Sequence, residues 1–301
     1  MKYLTIAVLL FLGTAISLTS CKDDEPCIES TWYEDADGDG LGNPDISELS
    51  CDQPDGFVAD NSDTDDTGGS GGSNTTGGTP VSAFDDFNPD AVTVSFDGDE
   101  ITIESNALPN HTSPYWESSN SLYIDAVVAD EGQMSPGTIR EGSYTVTVPA
   151  SPEKASSTSA TGLGAIGISI SGVPIFNDEE GPNNTISENV ASGFDYAGGH
   201  MGPTGYHYHL EAADVPENTV LSFDDESLVG IMSDGFLIYG RKCSSKGDYP
   251  TDLDESGGHS CATQHSDGDE FYHYHIINEF YIGSYILLFG VDLQGTPNSI
   301  M

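Results

Sequence analysis

Beyond residue 80, the chain is a succession of short runs in which apolar and polar residues alternate, each bounded by Gly, Asp, Asn or Pro. Such alternation is typical of β-strands with one buried face, and no long helical period competes with it. The runs lie at 92–96, 101–103, 143–148, 166–170 and 220–223. The sequence therefore predicts an all-β domain over 81–301, either a sandwich or a distorted barrel, that is long enough to bury a single core.

Two parts of this domain repeat each other. The segment 167–177 aligns without gaps to 230–240, pairing two glycines, two isoleucines and an aromatic residue. Each copy is followed by a Gly-Gly-His triplet and then by a Tyr-His-Tyr-His tetrapeptide. These motifs lie at 198–200 and 206–209 in the first copy, and at 257–259 and 272–275 in the second. A repeat of this kind predicts that the domain is built from two related halves packed together.

Six of the eight histidines lie in these motifs. Because side chains alternate along a strand, the two histidines of each tetrapeptide share one face and the tyrosines share the other. Clustered imidazoles suit a transition metal, and copper, zinc and iron are all compatible with them. We therefore expect one ligand set in each half, with two further histidines as additional candidates. The first histidine set is His200, His207 and His209, the second histidine set is His259, His273 and His275, and the additional candidates are His111 and His265.

The same motifs resemble the YHYH domain of bacterial extracellular proteins, over about residues 91 to 290. The resemblance includes 106–111, which is similar to the family's Asn-Gly-x-Pro-x-His element with Ala107 in place of glycine, and it extends over 234–240 and 253–259. Ser256 stands where the family often has a cysteine, so the resemblance implies no disulfide there. The family has no established activity, and the resemblance implies a type of domain without a reaction.

Three classes of function are compatible with the domain. The first, which we favour, is transition-metal binding. The second is a metal-dependent extracellular hydrolase or oxidase, because three histidines leave a fourth coordination position open. The third is a surface that binds glycans, an extracellular polymer or another surface protein. Its histidines would be structural, bonded to Asp195, Asp252 or Asp254, and its stacking faces would be Tyr206, Tyr208, Tyr272, Tyr274 and Trp116.

The net charge of the chain limits the kinds of partner that it can bind. It has 50 acidic and only 7 basic residues, for a formal net charge of −43. Binding to nucleic acid or to an anionic membrane surface requires patches of Lys and Arg. We therefore expect no nucleic-acid partner, and expect metal ions or polycations instead.

The N-terminus has the features of a bacterial lipoprotein signal peptide over 1–20. An apolar stretch at 3–18 follows Lys2, and its length is typical of a signal peptide rather than of a spanning helix. The residues just before Cys21 resemble a lipobox, which predicts lipidation (palmitate) of that cysteine in the mature chain. The acidic segment 22–25 resembles an export signal. We expect an outer-membrane lipoprotein, exposed at the surface, that contacts the membrane only through its lipid.

A second module is expected over 21–66. Asp35, Asp37 and Asp39 alternate before Gly40, which is typical of calcium loops. Ile46 stands where an EF-hand has its glutamate, so the segment is more similar to thrombospondin type 3 calcium repeats. In that arrangement Asp63 is a further calcium ligand. The alternative interpretation of this segment is an acidic spacer. The next segment, 67–80, is rich in Gly, Ser and Thr and is expected to be a flexible linker.

The cysteine count agrees with an exported protein. Apart from the lipidated cysteine, four remain, an even number for an oxidising compartment. Proximity along the chain favours the pairs Cys27–Cys51 and Cys243–Cys261, although three connectivities are possible. The alternative for the second pair is that Cys243 or Cys261 binds the metal as a thiolate.

Overall fold

The computed structural model describes residues 30–34, 42–44, 46–54, 56–59, 61, 78–126, 128–212 and 225–301. The chain divides into two compact units, Met1–Gly68 and Gly69–Met301, and the division falls inside the expected linker. Several sequence predictions lie outside the described residues: the signal peptide, Cys21, Cys27, and the calcium candidates Asp35, Asp37, Asp39 and Asp63.

The N-terminal unit contains a small antiparallel sheet. Its strands are β1 (Ser30–Glu34), β2 (Ser47–Ser50) and β3 (Phe57–Val58), in the order β2-β1-β3. The Trp32 indole donates a hydrogen bond to the Ser50 carbonyl at 3.2 Å. Cys51, which directly follows β2, is disulfide-bonded.

The regular secondary structure of the C-terminal unit is almost entirely β-strand. They are β4 (Val92–Asp97), β5 (Glu100–Ser105), β6 (Tyr144–Pro149), β7 (Ala165–Ser169), β8 (Pro174–Phe176), β9 (Glu179–Gly181), β10 (Asn184–Thr185), β11 (Gly199–Gly202), β12 (Gly205–Tyr208), β13 (Leu210–Ala212), β14 (Leu228–Met232), β15 (Leu237–Tyr239), β16 (Gly258–Cys261), β17 (Phe271–His275), β18 (Phe280–Ile282) and β19 (Tyr285–Leu287). Helical structure among the described residues is limited to the 3₁₀ turns Val81–Asp86 and Glu131–Gln133 and the α-helical turn α1 (Glu188–Ala191). The all-β prediction is confirmed.

Eight strands form one mixed sheet whose order is symmetric about its centre. The order is β11-β12-β8-β7-β14-β15-β17-β16, with the antiparallel pair β7 and β14 in the middle. The gap-free alignment of the two sequence copies superimposes β7 on β14 and β8 on β15, and both pairs carry a register shift at the same position. The domain therefore consists of two related halves, as the repeat predicted, and the Tyr-His-Tyr-His strands β12 and β17 lie towards opposite edges.

Two apolar clusters cover the central sheet. One contains Ile175, Tyr208 and Tyr274 and fills the side on which the tyrosines lie. The other joins Ile168 and Leu228 to side chains of the antiparallel sheet β4-β5-β6, so two sheets share one core. Face-to-face packing of this kind is the sandwich alternative. Within the described ranges, every sheet is open and none closes into a barrel.

The described residues contain only short helices. None of their helices has the length and apolar character needed to cross a bilayer.

Candidate metal sites

The Gly-Gly-His triplets are explained by the backbone that they form. Gly198 and Gly257 have φ values of 74° and 72°, in the left-handed region that favours glycine. A Cβ atom on the next glycine, Gly199, would lie 2.5 Å from the hydroxyl of Tyr206. The same contact would arise between Gly258 and Tyr272. The triplets therefore let a turn enter an edge strand directly beneath a tyrosine, which is buried in the first half and half-buried in the second.

The edge strands then bring the histidines of each half together. In the antiparallel pair β11 and β12, His200 lies directly opposite His207, and in β16 and β17, His259 lies opposite His273. Cross-strand neighbours on one face are about 4.5–5.5 Å apart at Cβ, close enough for their imidazoles to share a ligand. All six histidines are buried, and none is more than 6% exposed.

In the first histidine set, the nitrogen atoms of the three rings have distinct roles. Each Nδ1 contacts a neighbouring oxygen, and the available ligand atoms lie within 4.8 Å of one another. The Nδ1 partners are the Ser135 hydroxyl for His200 at 3.0 Å, the Gly205 carbonyl for His207 at 3.0 Å and the Asn177 carbonyl for His209. A carbonyl accepts only from a protonated nitrogen, so the Nε2 atoms of His207 and His209 carry lone pairs in the neutral state.

Glu180 joins the first histidine set. Its Oε1 lies 3.0 Å from His200 Nε2 and 3.4 Å from His209 Nε2. Neither contact has hydrogen-bond geometry, and all three of these atoms are buried without a hydrogen-bond partner. Burial alone would raise the pKa of Glu180, but the adjoining His200 and His209 rings lower it below its usual value. Glu180 therefore directs a buried carboxylate oxygen at two imidazole nitrogens.

The second histidine set has the same arrangement of ring nitrogens. The Nδ1 atoms contact Asp252 Oδ1 at 2.9 Å for His259, the Phe271 carbonyl at 3.0 Å for His273 and the Gly240 carbonyl at 2.6 Å for His275. The Nε2 atom of His275 lies 3.2 Å from that of His259 and 3.1 Å from that of His273. The His275 nitrogen therefore lies close to the nitrogens of both other rings.

Two cysteines adjoin the second histidine set. Cys243 and Cys261 form a disulfide with each other, the pair favoured by their proximity in sequence. Their sulfur atoms and the ligand nitrogens of His259 and His275 lie within 4.8 Å of one another, and Cys261 Sγ is 3.7 Å from His273 Nε2. The disulfide therefore lies within reach of any ion held by these histidines.

Aromatic rings and buried surroundings shape the chemistry of both sets. Phe176 stacks on His207 with ring centres 4.0 Å apart, and Phe194 stacks on His200 at 4.1 Å. Burial lowers the pKa of His209 and of His275 to about 4. Low basicity keeps imidazoles neutral, and only the neutral form binds a metal. The buried His and Cys groups of both halves could therefore hold a transition-metal ion.

The two additional histidine candidates lie elsewhere. His111 places its ring nitrogens 2.8 Å from the Thr112 carbonyl and 2.8 Å from the Tyr208 hydroxyl, on the tyrosine side of β12. His265 contacts the Tyr239 hydroxyl at 2.9 Å and Asp86 at 3.1 Å. The ring nitrogens of both residues thus already have partners, and neither ring joins a histidine set.

The structure also shows the surroundings of the aspartates and aromatic residues that the glycan-binding alternative invokes. Asp195 accepts a hydrogen bond from Tyr206 at 2.6 Å, Asp254 accepts one from Tyr272, and Asp252 alone of the three contacts a histidine. Tyr206, Tyr208 and Tyr274 are at most 2% exposed and Trp116 is 8% exposed. These four rings belong to the core and are not available to stack on a glycan, whereas Tyr272 is only half-buried.

One comparison with known proteins finds a family. A family model described as YHYH protein matches residues 145–252. The YHYH match contains β7, β8, β14 and β15 together with the first histidine set, and it lies inside the range of the resemblance seen in the sequence. It ends before the second histidine set. No curated protein and no solved structure matched the chain.

Sequence reasoning missed Glu180, although a signal for it was present. The gap-free alignment of 167–177 with 230–240, continued for three residues, pairs Glu180 with Cys243. Glu180 and Cys243 each lie three residues after a residue whose carbonyl contacts a histidine Nδ1. That residue is Asn177 in the first half and Gly240 in the second.

Proposed function

We propose that the C-terminal unit is a transition-metal-binding domain with two separate sites, one at each histidine set. The observation that carries this proposal is that ring nitrogens of each set lie close together, while the Nδ1 atom of each ring already contacts an oxygen. The central sheet holds the sets on β12 and β17, five strand spacings apart, which is roughly 20–25 Å at the usual distance between strands. Each half would thus bind its own ion.

The electrostatics of the second histidine set support a cation most directly. His273 and His275 each donate Nδ1–H to a backbone carbonyl, so their neutral rings carry a lone pair on Nε2. These lone pairs face each other at 3.1 Å, an arrangement that is repulsive without a positive charge between them. Two nitrogens bound to one tetrahedral zinc, about 2.0–2.1 Å from it, are about 3.3–3.4 Å apart. The observed spacing is close to that value.

A purely structural hydrogen-bond network explains the geometry less well. A hydrogen bond between two Nε2 atoms requires one ring to carry its proton on Nε2. The Nδ1 lone pair of that ring would then face a carbonyl oxygen, and both atoms would be acceptors. A second proton on one ring would avoid this, but burial lowers the pKa of His273 and His275, which disfavours the charged form. A metal ion satisfies all the nitrogens at once.

Metal analysis of untagged protein tests the proposal. After separate incubation with copper, zinc or iron and removal of unbound ion, we expect one ion for each histidine set. The double variant His207→Ala with His209→Ala should lose the first ion, and His273→Ala with His275→Ala should lose the second. As a matched control, His265→Ala removes a histidine outside both sets and should retain both ions. Absence of bound metal in the unmodified protein, or metal content unaffected by both double variants, would favour the structural network.

A metal-dependent enzyme is a second candidate, and one observation favours it. An apolar cleft of about 160 Å³ is lined by His275, Phe280, Leu287 and Phe289. An open coordination position on this side would be accessible to a small ligand. Azide added to the cobalt-loaded protein should change its visible spectrum if such a position exists. An unchanged spectrum at saturating azide would restrict the function to metal binding.

We also propose that lipid on Cys21 anchors the chain in the outer membrane, with the sheet domain at the cell surface. The lipobox, the apolar stretch before it and the acidic residues after it support this location. Replacing Cys21 by Ala should release the protein from the membrane fraction. If the Cys21→Ala variant stays with the membranes as the unmodified protein does, the anchor is not this lipid.

Calcium binding by the Asp-rich segment is a further part of the proposal, supported by the alternating carboxylates at 35–39. Calorimetry of the full chain should give a saturable calcium signal. Converting Asp35, Asp37 and Asp39 together to Asn should remove it. A signal that survives this change would place the calcium elsewhere.

A further inference from the structure

Glu180 occupies an unusual position for a carboxylate. It lies on β9, and its side chain is 18% exposed, yet its Oε1 is fully buried against two histidines of the first set. Burying a carboxylate oxygen without a hydrogen-bond partner is costly unless another group, such as a cation, compensates it. Among the described residues, no lysine or arginine is recorded within ion-pair distance of Glu180. A metal ion shared with the histidines would supply the missing charge.

The second copy of the internal repeat also has a potential metal ligand at the position equivalent to Glu180. Glu180 aligns with Cys243, and the two residues face equivalent histidines. Glu180 contacts His200 and His209, whereas Cys243 groups with His259 and His275. One backbone position in each half therefore directs a potential metal ligand at the same two members of a histidine set.

We propose that Glu180 is the fourth ligand of the first histidine set, at the position that Cys243 takes in the second, so that the two sites bind metals of different chemical class. This inference rests on the proposed metal-binding function. The first site has three imidazole nitrogens and a carboxylate oxygen. The second has imidazole nitrogens and, when the Cys243–Cys261 disulfide is reduced, thiolate sulfur.

The ligand types predict different preferences. Carboxylate and imidazole together suit divalent zinc, iron or manganese, whereas thiolate favours copper(I) and zinc. The first site has no sulfur ligand, so we expect it to bind copper(I) more weakly than the reduced second site. Its ligands also do not depend on the redox state of any cysteine. The first site would thereby keep the same ligands under all redox conditions, whereas the second would gain soft thiolate ligands only after an external thiol reductant has opened the Cys243–Cys261 disulfide.

The competing explanation for the contact between Glu180 and His200 is that the imidazole is protonated. If His200 carried a second proton, it could pair with Glu180 as an ordinary ion pair and no fourth ligand would exist. The two explanations differ in what a substitution of Glu180 does to metal affinity. Removal of a metal ligand weakens binding, while removal of an ion pair from a three-histidine site leaves its ligands in place.

Zinc affinity measured by chelator competition separates these explanations. The protein should keep its Cys243–Cys261 disulfide. We expect Glu180→Gln to weaken one of the two zinc sites at least about 100-fold, because loss of even an indirect partner costs about 10–100-fold. The matched control is Glu179→Gln, its neighbour on β9, which should leave both affinities unchanged. Unchanged affinity in Glu180→Gln would overturn the inference while leaving the proposed function intact. Absence of zinc binding in the unmodified protein would instead overturn both.

A second variant keeps the inference testable if Glu180→Gln folds poorly. In cobalt-loaded protein, Glu180→Cys should place a thiolate on the ion and add a sulfur-to-cobalt charge-transfer band in the near ultraviolet. Because Cys243 and Cys261 stay joined in their disulfide, no such band is expected in the unmodified protein. A cobalt-loaded Glu180→Cys protein with a free thiol and no new band would show that this position does not reach the metal.

Discussion

The two halves of the central sheet share a scaffold and differ in their ligands. Both present histidines from β11 and β12 or from β16 and β17, and both hold Nδ1 atoms on equivalent carbonyls. The first half has Glu180 and Gly202 where the second has Cys243 and Cys261. A Cβ atom on Gly202 would lie 2.5 Å from His207, whereas Cys261 points its sulfur at His273. Backbone geometry was thus retained while the ligand chemistry changed at two positions.

The largest expected effect tests what the halves have in common. In metal-free protein, the pKa of His209 and of His275 is about 4, against about 6.5 in an unfolded chain. Between these values the unfolded chain binds protons that the folded chain excludes. The free energy of unfolding should therefore fall as the pH is lowered from about 6.5 to about 4, by on the order of 1–3 kcal/mol for each histidine.

Urea denaturation at a series of pH values, with chelator present, measures this dependence. Because His209 and His275 hold equivalent positions in the two halves and have the same pKa of about 4, His209→Gln and His275→Gln should reduce the slope by similar amounts. A slope that responds to only one of these variants would show that the halves are not equivalent when metal-free.

The next prediction concerns the feature that only the second half has. Replacing Cys243 and Cys261 together by Ser opens a loop closed by a disulfide with a sequence separation of 18. Loss of a cross-link of this size should lower the free energy of unfolding by about 3 kcal/mol. Thermal unfolding without metal measures the loss. The first half provides no counterpart, so equal stability of the variant and the unmodified protein would mean that the disulfide does not distinguish the halves.

The smallest expected effect compares equivalent tyrosines. The Tyr274 hydroxyl donates to Asp234 at 2.6 Å and accepts from the Gln294 amide at 2.7 Å. The Tyr208 hydroxyl lies 2.8 Å from His111 Nε2 and 3.2 Å from the Ser171 hydroxyl, and neither partner is a carboxylate. Tyr274→Phe should cost about 2–3 kcal/mol because a buried carboxylate loses a donor, and Tyr208→Phe about 1 kcal/mol. Denaturant unfolding of the two variants gives the difference, and equal losses would contradict it.

Local patterns predicted the parts of the structure that depend on neighbouring residues. Alternation along Tyr-His-Tyr-His predicted histidines on one face and tyrosines on the other, because the side chains of a strand alternate by geometry. The alignment of 167–177 with 230–240 predicted two related halves, and the strand bounds follow it. The histidine sets themselves were therefore evident from the sequence.

Long-range packing determined what the sequence did not predict. Glu180 reaches His200 through a hairpin, β9 and β10, whose pattern carries no metal-ligand signal of its own. His111 and His265 were candidates because of residue type, but tertiary contacts direct them to Tyr208 and Tyr239 instead. Whether the sets share one site or stand apart also depended on strand order, which spacing along the chain does not specify.

The symmetric strand order has a consequence for how such a chain could arise. Within the central sheet, the halves meet where β7 pairs antiparallel with β14, and an antiparallel pair of equivalent strands is what a twofold axis generates. A polypeptide containing one half alone would leave β7 with an unpaired edge, and a second copy of itself would satisfy that edge. The sheet is therefore equivalent to a homodimer joined into one chain. Joining the copies freed each binding position to mutate without its partner, which a true dimer with one gene does not permit.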